Sequence, residues 1–214
     1  MTIEELNVEI GNAMQSLTLA AQGAFSAAGG PYAMPGAGRI AMERFEQARS
    51  HAATAISNAM QAFALSLGSG VESFLLASAY KEQAKVSIAS VLVQLTQQLA
   101  RAIRTGSGTP AALMLKQSHG AVGELVGRQV TTLQLTARDM AGREWKNPTL
   151  LVQNYARQFA VRSTVITQIE DLRLAGYTHA YLGDEALPLA AVQRELDTLF
   201  HPNSKEFLRA NLHA

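Results

Sequence analysis

The sequence predicts a mainly α-helical protein: a long-helix N-terminal bundle or coiled-coil-like unit, then a small C-terminal helical unit containing a minor β element. Apolar residues recur at intervals of three and four over several long stretches, which is the spacing of an amphipathic helix. Segments rich in glycine and proline separate these stretches and favour turns. We therefore divide the chain into a long-helix assembly unit at 1–137 and a small unit at 138–214.

Three long helices are predicted in the first half of the chain. The first runs from about 3 to 27 and begins with Thr2 and Glu5, a capping-box pair in which each side chain accepts a hydrogen bond from the other residue's backbone. Two further helices follow at about 39–67 and 71–104, and glycine-containing turns separate them. These helices form the predicted N-terminal unit.

The third predicted helix carries a continuous apolar stripe. Its members recur close to the 3.5-residue spacing that is typical of a coiled-coil seam. They are Ile88, Leu92, Leu95, Leu99 and Ile103. We expect this seam to face a neighbour, so that the chain self-associates or binds a partner through it.

A fourth helix is predicted at about 110–139. Pro110 suits its first turn, because proline lacks the N–H that this position leaves unpaired. Glycine weakens a helix interior by about 1 kcal/mol relative to alanine. The glycines Gly120, Gly123 and Gly127 are therefore expected to allow close backbone packing or a bend.

The C-terminal unit is predicted to contain helices and one strand. Asn147 and Pro148 fit the N-cap and the first turn of a fifth helix at about 148–175. The alternating, aromatic-rich segment 177–182 indicates a short strand. The remaining residues are predicted to form two short helices, at about 189–200 and 205–212.

Charged residues are missing from three long segments, 10–38, 50–71 and 86–100. The outward faces of these helices carry Gln, Ser, Thr, Asn and Ala, where a free-standing soluble helix usually carries Lys and Glu. A surface of low charge suits contact with other protein. We therefore expect copies of the chain, or a larger assembly, to cover much of this surface.

The sequence lacks the patterns of a catalytic, metal or cofactor site. The five histidines are not spaced to place two ligands on one helix face, and the absence of cysteine excludes thiolate chemistry. No serine or glycine motif matches a nucleophile elbow or a phosphate-binding loop. We predict that the protein is not an enzyme and binds no metal or cofactor.

Charge and hydropathy also bear on DNA, membranes and secretion. Eighteen basic residues nearly balance seventeen acidic ones, so any DNA contact is predicted to be weak. The most apolar stretch, 86–103, is interrupted by Gln94 and Arg101, which argues against a stable membrane span. The N-terminus lacks the basic start and apolar core of a signal peptide, so we expect no secretion.

Arg162 falls within the apolar stripe of the fifth predicted helix. A buried guanidinium without a partner is costly, so a carboxylate should reach it unless the side chain extends to the protein edge. The candidate partners are Asp139, Asp184 and Glu185. Trp145, just before the helix, is expected to close its entrance over the same stripe.

A pattern between residues 138 and 183 resembles a known family. It runs Asp139, Gly142-Arg143 and Trp145, then Tyr155, Arg157 and Arg162-Ser163, then Gly176 before the predicted strand. It resembles the C-terminal module of tailed-phage minor head proteins of the Mu-F-like class. The chain departs from that family at His201-Pro202-Asn203, where Ser204 follows in place of a cysteine. We expect Asp139, Arg143, Trp145, Tyr155 and Arg162 to organise this unit.

The resemblance implies a non-enzymatic structural component of a phage particle, a minor head or portal-vertex protein that supports head morphogenesis by helix packing. It implies homo-oligomers, contacts with portal or capsid proteins, and a place in the virion after assembly in the bacterial host cytoplasm. Two alternatives stay open. One is an internal virion protein that is ejected with the genome and forms a channel in the host envelope; the other is a DNA-associated helical protein.

Overall fold

The chain is mainly α-helical, with three long N-terminal helices and small strands in its C-terminal part. The computed structural model describes residues 1–28, 36–68, 70–105, 109–111, 130–200, 202 and 207–210. The long helices are α1 (Ile3–Ala28), α2 (Ala37–Ser66), α3 (Val71–Thr105) and α4 (Pro148–Leu174). Their bounds agree closely with the helices predicted at 3–27, 39–67, 71–104 and 148–175.

The predicted helix caps are present at α1 and α4. Thr2 Oγ1 accepts from the Glu5 N–H at 3.1 Å, and Glu5 Oε2 accepts from the Thr2 nitrogen at 2.7 Å. Asn147 Oδ1 accepts from the Thr149 N–H at 3.0 Å. These side chains pair backbone groups that the first helical turn leaves without an intrahelical partner.

The strands in the described ranges are short. They are β1 (Thr109–Ala111), β2 (Val130–Thr132), β3 (Ala137–Arg138), β4 (Glu144–Trp145), β5 (His179–Leu182), β6 (Glu185–Pro188) and β7 (Arg209–Ala210). β1 pairs with β2, β3 pairs with β4, and β5 lies between β6 and β7, all antiparallel. The predicted strand at 177–182 corresponds to β5, and its two-residue turn to β6 begins with Gly183 at φ 62°.

The prediction of a helix at 110–139 is wrong for the residues that the structure describes. Residues 109–111 and 130–132 are paired strands, and residues 133–138 are extended or irregular. Leu135 and Ala137 are buried while their neighbours are more exposed, which is the two-residue alternation of an extended chain. Gly120, Gly123 and Gly127 lie outside the described residues.

The predicted C-terminal helices are also revised. The first is two short helices, α5 (Leu189–Arg194) and α6 (Leu196–Leu199), separated at Glu195. The second, at 205–212, is wrong in its described part, because Arg209–Ala210 forms β7 and pairs with β5. Leu208 is buried beside this pairing, so tertiary contacts override the local helical spacing.

Two clusters of buried side chains form the interior. The first joins α1, α2 and α3 to the first half of α4, and the second joins the second half of α4 to β5, α5 and α6. In the first cluster the Phe63 and Phe159 rings meet edge to face, with centroids 5.9 Å apart. Leu135 and Phe159 belong to the same cluster, so this core contains residues from both sides of the division predicted between 137 and 138.

The apolar seam of α3 lies inside the chain, which corrects the expectation that it faces a neighbour. The exposed fractions are 4% for Ile88, 3% for Leu92, 1% for Leu95 and 0% for Leu99, and Ile103 packs partly buried against the same core. α2 and α4 lie against α3. Seam-like spacing suits a helix bundle within one chain as well as a coiled coil between chains.

Candidate functional site

Four of the five C-terminal residues singled out from the sequence meet at the turn between β3 and β4. The Asp139 carboxylate is the centre: Oδ1 accepts from the N–H groups of Ala141 (3.0 Å) and Arg143 (2.9 Å). Oδ2 accepts from Arg143 Nε (2.7 Å) and Trp145 Nε1 (3.2 Å). Only 6% of the Asp139 side chain is exposed. Both carboxylate oxygens therefore hold the turn closed.

The backbone of this turn accounts for the presence of Gly142 and Tyr155 in the pattern. Gly142 has φ 80°, a left-handed conformation that residues with a Cβ rarely adopt. Its N–H donates to the Asp139 carbonyl oxygen at 2.9 Å, and the Asp139 N–H donates to the Arg143 carbonyl oxygen at 3.0 Å. The Tyr155 hydroxyl on α4 accepts from the Met140 N–H at 3.2 Å. α4 thus fixes the turn from outside.

Two glutamines of α3 hold the strand that leads into the turn. Gln94 Oε1 accepts from the Arg138 N–H at 2.7 Å, and Gln94 Nε2 donates to the Arg138 carbonyl oxygen at 3.1 Å. Gln98 makes the same pair of bonds with the Thr136 backbone, at 3.0 and 2.7 Å. Residues four apart share a helix face, so the two amides lie side by side. They pair with the backbone N–H and carbonyl groups as a neighbouring strand would.

The structural role of these glutamines was not predicted from the sequence. The available signal was a pair of glutamines four residues apart in a charge-free helix. A charged residue at either position would lack either the donor or the acceptor that the strand needs. Part of the uncharged surface assigned to partners therefore serves contacts within the chain.

Arg162 lies apart from the Asp139 turn and uses a different carboxylate. Its Nη2 lies 2.6 Å from Asp197 Oδ1 on α6, and its guanidinium carbon lies 5.3 Å from the centroid of the Tyr80 ring on α3. Nη1 lies 3.5 Å from Gln83 Oε1. The carboxylate that pairs with Arg162 is therefore Asp197. The expectation that it would be Asp139, Asp184 or Glu185 is wrong.

Trp145 belongs to the Asp139 turn and not to the Arg162 cluster. Its ring is half-buried against the first core cluster, and its N–H bonds Asp139. Arg157, also in the family-like pattern, lies next to Asn7 on α1; with the Asn7 amide oxygen facing it, Arg157 Nε donates at 2.9 Å. The pattern residues thus serve three separate contacts of α4 and its leading turn.

A cleft of about 170 Å³ separates the turn from Arg162. Its walls include Tyr80, Met140, Tyr155 and Arg162, and carry no carboxylate or imidazole. Burial raises the pKa of Tyr155, with the Asp139 charge adding to the rise and the Met140 N–H opposing it. The hydroxyl therefore keeps its proton at neutral pH. The cleft offers hydrogen-bond donors, and the general base that proton-transfer catalysis requires is not among its side chains.

The electrostatics of Asp139 agree with a structural role. Burial alone would raise its pKa, but hydrogen bonds from Trp145 and Arg143, with the Arg143 charge, together hold the pKa below its ordinary value. The ionised form is thus favoured in the folded protein. No group of three or more His, Cys, Asp or Glu side chains that could hold a metal occurs in the part of the chain described above.

The low pKa of Asp139 predicts a loss of stability in acid. Since the folded-state pKa lies below the unfolded-state value of about 3.8, the stabilisation is complete above that pH and is lost as pH falls through the folded-state pKa. Thermal unfolding between pH 7 and pH 2 should show that Asp139→Asn has a lower Tm at pH 7 and a smaller acid-induced drop than wild type. Glu144→Gln, an exposed carboxylate of the same hairpin, is the control. An unchanged acid profile in Asp139→Asn would contradict this role.

Comparison with known proteins adds no relative to this picture: no protein-family model, curated protein or solved structure matches the chain. Within the residues that the structure covers, no helix is long and apolar enough to cross a membrane.

Proposed function

We propose that the chain is a non-enzymatic structural component of a phage particle, a minor head or portal-vertex protein that acts by helix packing in an assembly. It would be built into the virion in the bacterial host cytoplasm, as a homo-oligomer and in contact with portal or capsid proteins. The sequence pattern that resembles Mu-F-like minor head proteins supports this identity.

One observation carries the proposal: the five residues of that pattern between 139 and 155 depend on one another. Asp139 bonds Arg143 and Trp145, Gly142 supplies the left-handed backbone, and Tyr155 fixes the turn from α4. Residues that build one turn form a structural unit, and the Asp139 carboxylate, with each oxygen accepting two hydrogen bonds, is not placed to act on a substrate. This supports a packing role over an enzymatic one.

The long helices supply the second part of the argument. Their charge-free segments carry exposed apolar side chains on α1, α2 and α3, including Leu19 (59%), Leu65 (64%) and Val86 (66%). Low charge and exposed apolar surface favour contact with protein. A component that other virion proteins surround would cover such surface.

Removal of the coding sequence tests the proposed function. In cells that produce the particle, deletion should yield incomplete heads by electron microscopy, and the wild-type chain supplied in trans should restore complete heads. Asp139→Ala should restore fewer heads, because it opens the turn that the pattern builds. Complete, infectious particles after deletion would contradict the proposal.

Weak DNA binding is the expected behaviour of such a component. Basic and acidic residues nearly cancel, with a formal net charge of +1, so few counterions would be released on binding. Mobility-shift titration of the purified chain at physiological salt should show no submicromolar complex. Tight binding that weakens steeply with added salt would favour the DNA-associated alternative.

A further inference from the structure

A second apolar stripe runs along the solvent face of α3, about 120° around the helix from the buried seam at 100° per residue. Leu75 is 64% exposed, Val86 66% and Val93 43%, and Ala79 and Ala89 are also exposed. With the exposed Glu82, these residues follow spacings of four, three, four, three and four. This is the periodicity of a coiled-coil seam, and we call these six residues the outer stripe.

The outer stripe has the dimensions of a helix-packing surface. At 100° per residue its members fall within an arc of about 80°, and from Leu75 to Val93 it extends about 27 Å at 1.5 Å per residue. Segment 86–100 carries no charge. Glu82 is the one charged member, and its Oε1 lies 3.0 Å from Lys85 Nζ.

We propose that the outer stripe binds the outer stripe of a second copy of this chain, with the two α3 helices antiparallel. The stripe is symmetric about residue 84. Antiparallel pairing sets Leu75 opposite Val93 of the second copy, Ala79 opposite Ala89, and Glu82 opposite Val86. Leucine thus meets valine, and alanine meets alanine. A two-fold interface pairs one surface patch with the same patch of the second copy, so the patch must be complementary to itself.

Charge favours the antiparallel direction. A parallel, in-register pair would set Glu82 against Glu82 of the second copy, and like charges in direct opposition are destabilising. The antiparallel pair brings Glu82 beside Lys85 of the second copy, one helical position from direct opposition. Each copy contributes one acid and one base near the two-fold axis, so the charges there balance.

The size of the stripe predicts a reversible dimer. A strip of about 27 Å on a helix about 10 Å wide is smaller than the roughly 800 Å² per partner of a standard stable interface. Dimerisation should therefore depend on protein concentration. This inference concerns the purified chain and holds whether or not the chain is a phage protein.

Disulfide trapping tests the pairing directly, because the chain contains no cysteine. Ala79→Cys with Ala89→Cys should give covalent dimers after mild oxidation. Within one helix these positions lie about 15 Å apart, too far for an intrachain bond. Ala79→Cys alone should give no covalent dimers, since its two copies in the dimer would also be about 15 Å apart. The matched control is Ala55→Cys with Leu65→Cys, an exposed pair with the same spacing on α2.

Sedimentation equilibrium supplies the second test. Val86→Glu places a carboxylate opposite Glu82 of the second copy and should weaken dimerisation at least tenfold with unchanged circular dichroism. Val86→Lys, which faces the same carboxylate with opposite charge, should weaken it less. A wild-type chain that stays monomeric at high concentration would overturn the proposal. So would cross-linking of Ala79→Cys alone, or of the α2 pair, as efficient as that of the α3 pair.

Discussion

Leu99→Ala is expected to lower the free energy of unfolding by about 2 to 5 kcal/mol, the range for removing a fully buried leucine side chain from a packed core. Leu99 is 0% exposed and belongs to the cluster that joins α1, α2, α3 and α4. The substitution removes apolar contacts and leaves a cavity that neighbouring helices fill only in part. Urea denaturation followed by circular dichroism measures the change.

The control for Leu99→Ala is Leu65→Ala on α2. Leu65 is 64% exposed, so its removal should change stability by about 0.5 kcal/mol or less. The dimer predicted for the outer stripe should be unaffected by either substitution under conditions where the chain is folded. If Leu99→Ala abolished self-association while leaving the unfolding free energy unchanged, the buried seam would be an intermolecular surface after all.

Asp197→Ala is expected to cost about 2 kcal/mol, between the roughly 0–1 kcal/mol of an exposed ion pair and the 3–5 kcal/mol of a broken buried pair. The Arg162 side chain is 11% exposed, whereas Asp197 is 69% exposed. Arg162 Nε already lacks an acceptor within the described residues. Loss of Asp197 would leave the guanidinium with Tyr80 and a long contact to Gln83.

Replacing Arg162, the other partner of the ion pair, should lower the free energy of unfolding by less than replacing Asp197 does. Arg162→Met keeps most of the aliphatic stem and removes the buried charge, while Asp197 remains hydrated. Its cost should be below about 1 kcal/mol. In the Arg162→Met background, Asp197→Ala should then have almost no further effect. Equal losses from Asp197→Ala with and without Arg162 would show that the ion pair is not the source.

The long helices were predictable because each carries its own signals. α1 has the Thr2 and Glu5 box, α4 has Asn147 and Pro148, and the apolar residues repeat at helical spacing throughout. Such signals involve residues that are close together in the sequence, so they can be identified from the sequence alone. The strand at β5 was predictable for the same reason, from its alternation.

The errors lie where distant residues decide the structure. β7 forms because β5 provides an edge almost thirty positions earlier. The backbone of Thr136 and Arg138 is held by Gln98 and Gln94 of α3. In the described part of 110–139, the pairing of 109–111 with 130–132 and of 137–138 with 144–145 overrides the local helical spacing. Neither partner is visible in the local sequence.

The candidate site was predicted in part. The family-like pattern singled out Asp139, Arg143 and Trp145, and the hydrogen bonds of the Asp139 carboxylate join residues no more than six positions apart. The partner of Arg162 was missed because Asp197 follows it by thirty-five positions and is one of several acidic residues in that region. The burial of the α3 seam inside the chain was not predicted, because it depends on which helices of the chain pack against α3.

We propose that this chain is a structural component of a phage particle. Quantitative mass spectrometry of particles purified from producing cells tests it most directly. We predict that the chain copurifies with complete heads in a fixed ratio to the other structural proteins, and stays with them through a density gradient and a high-salt wash. A chain found only in the soluble cell fraction, and absent from complete particles, would contradict the claim.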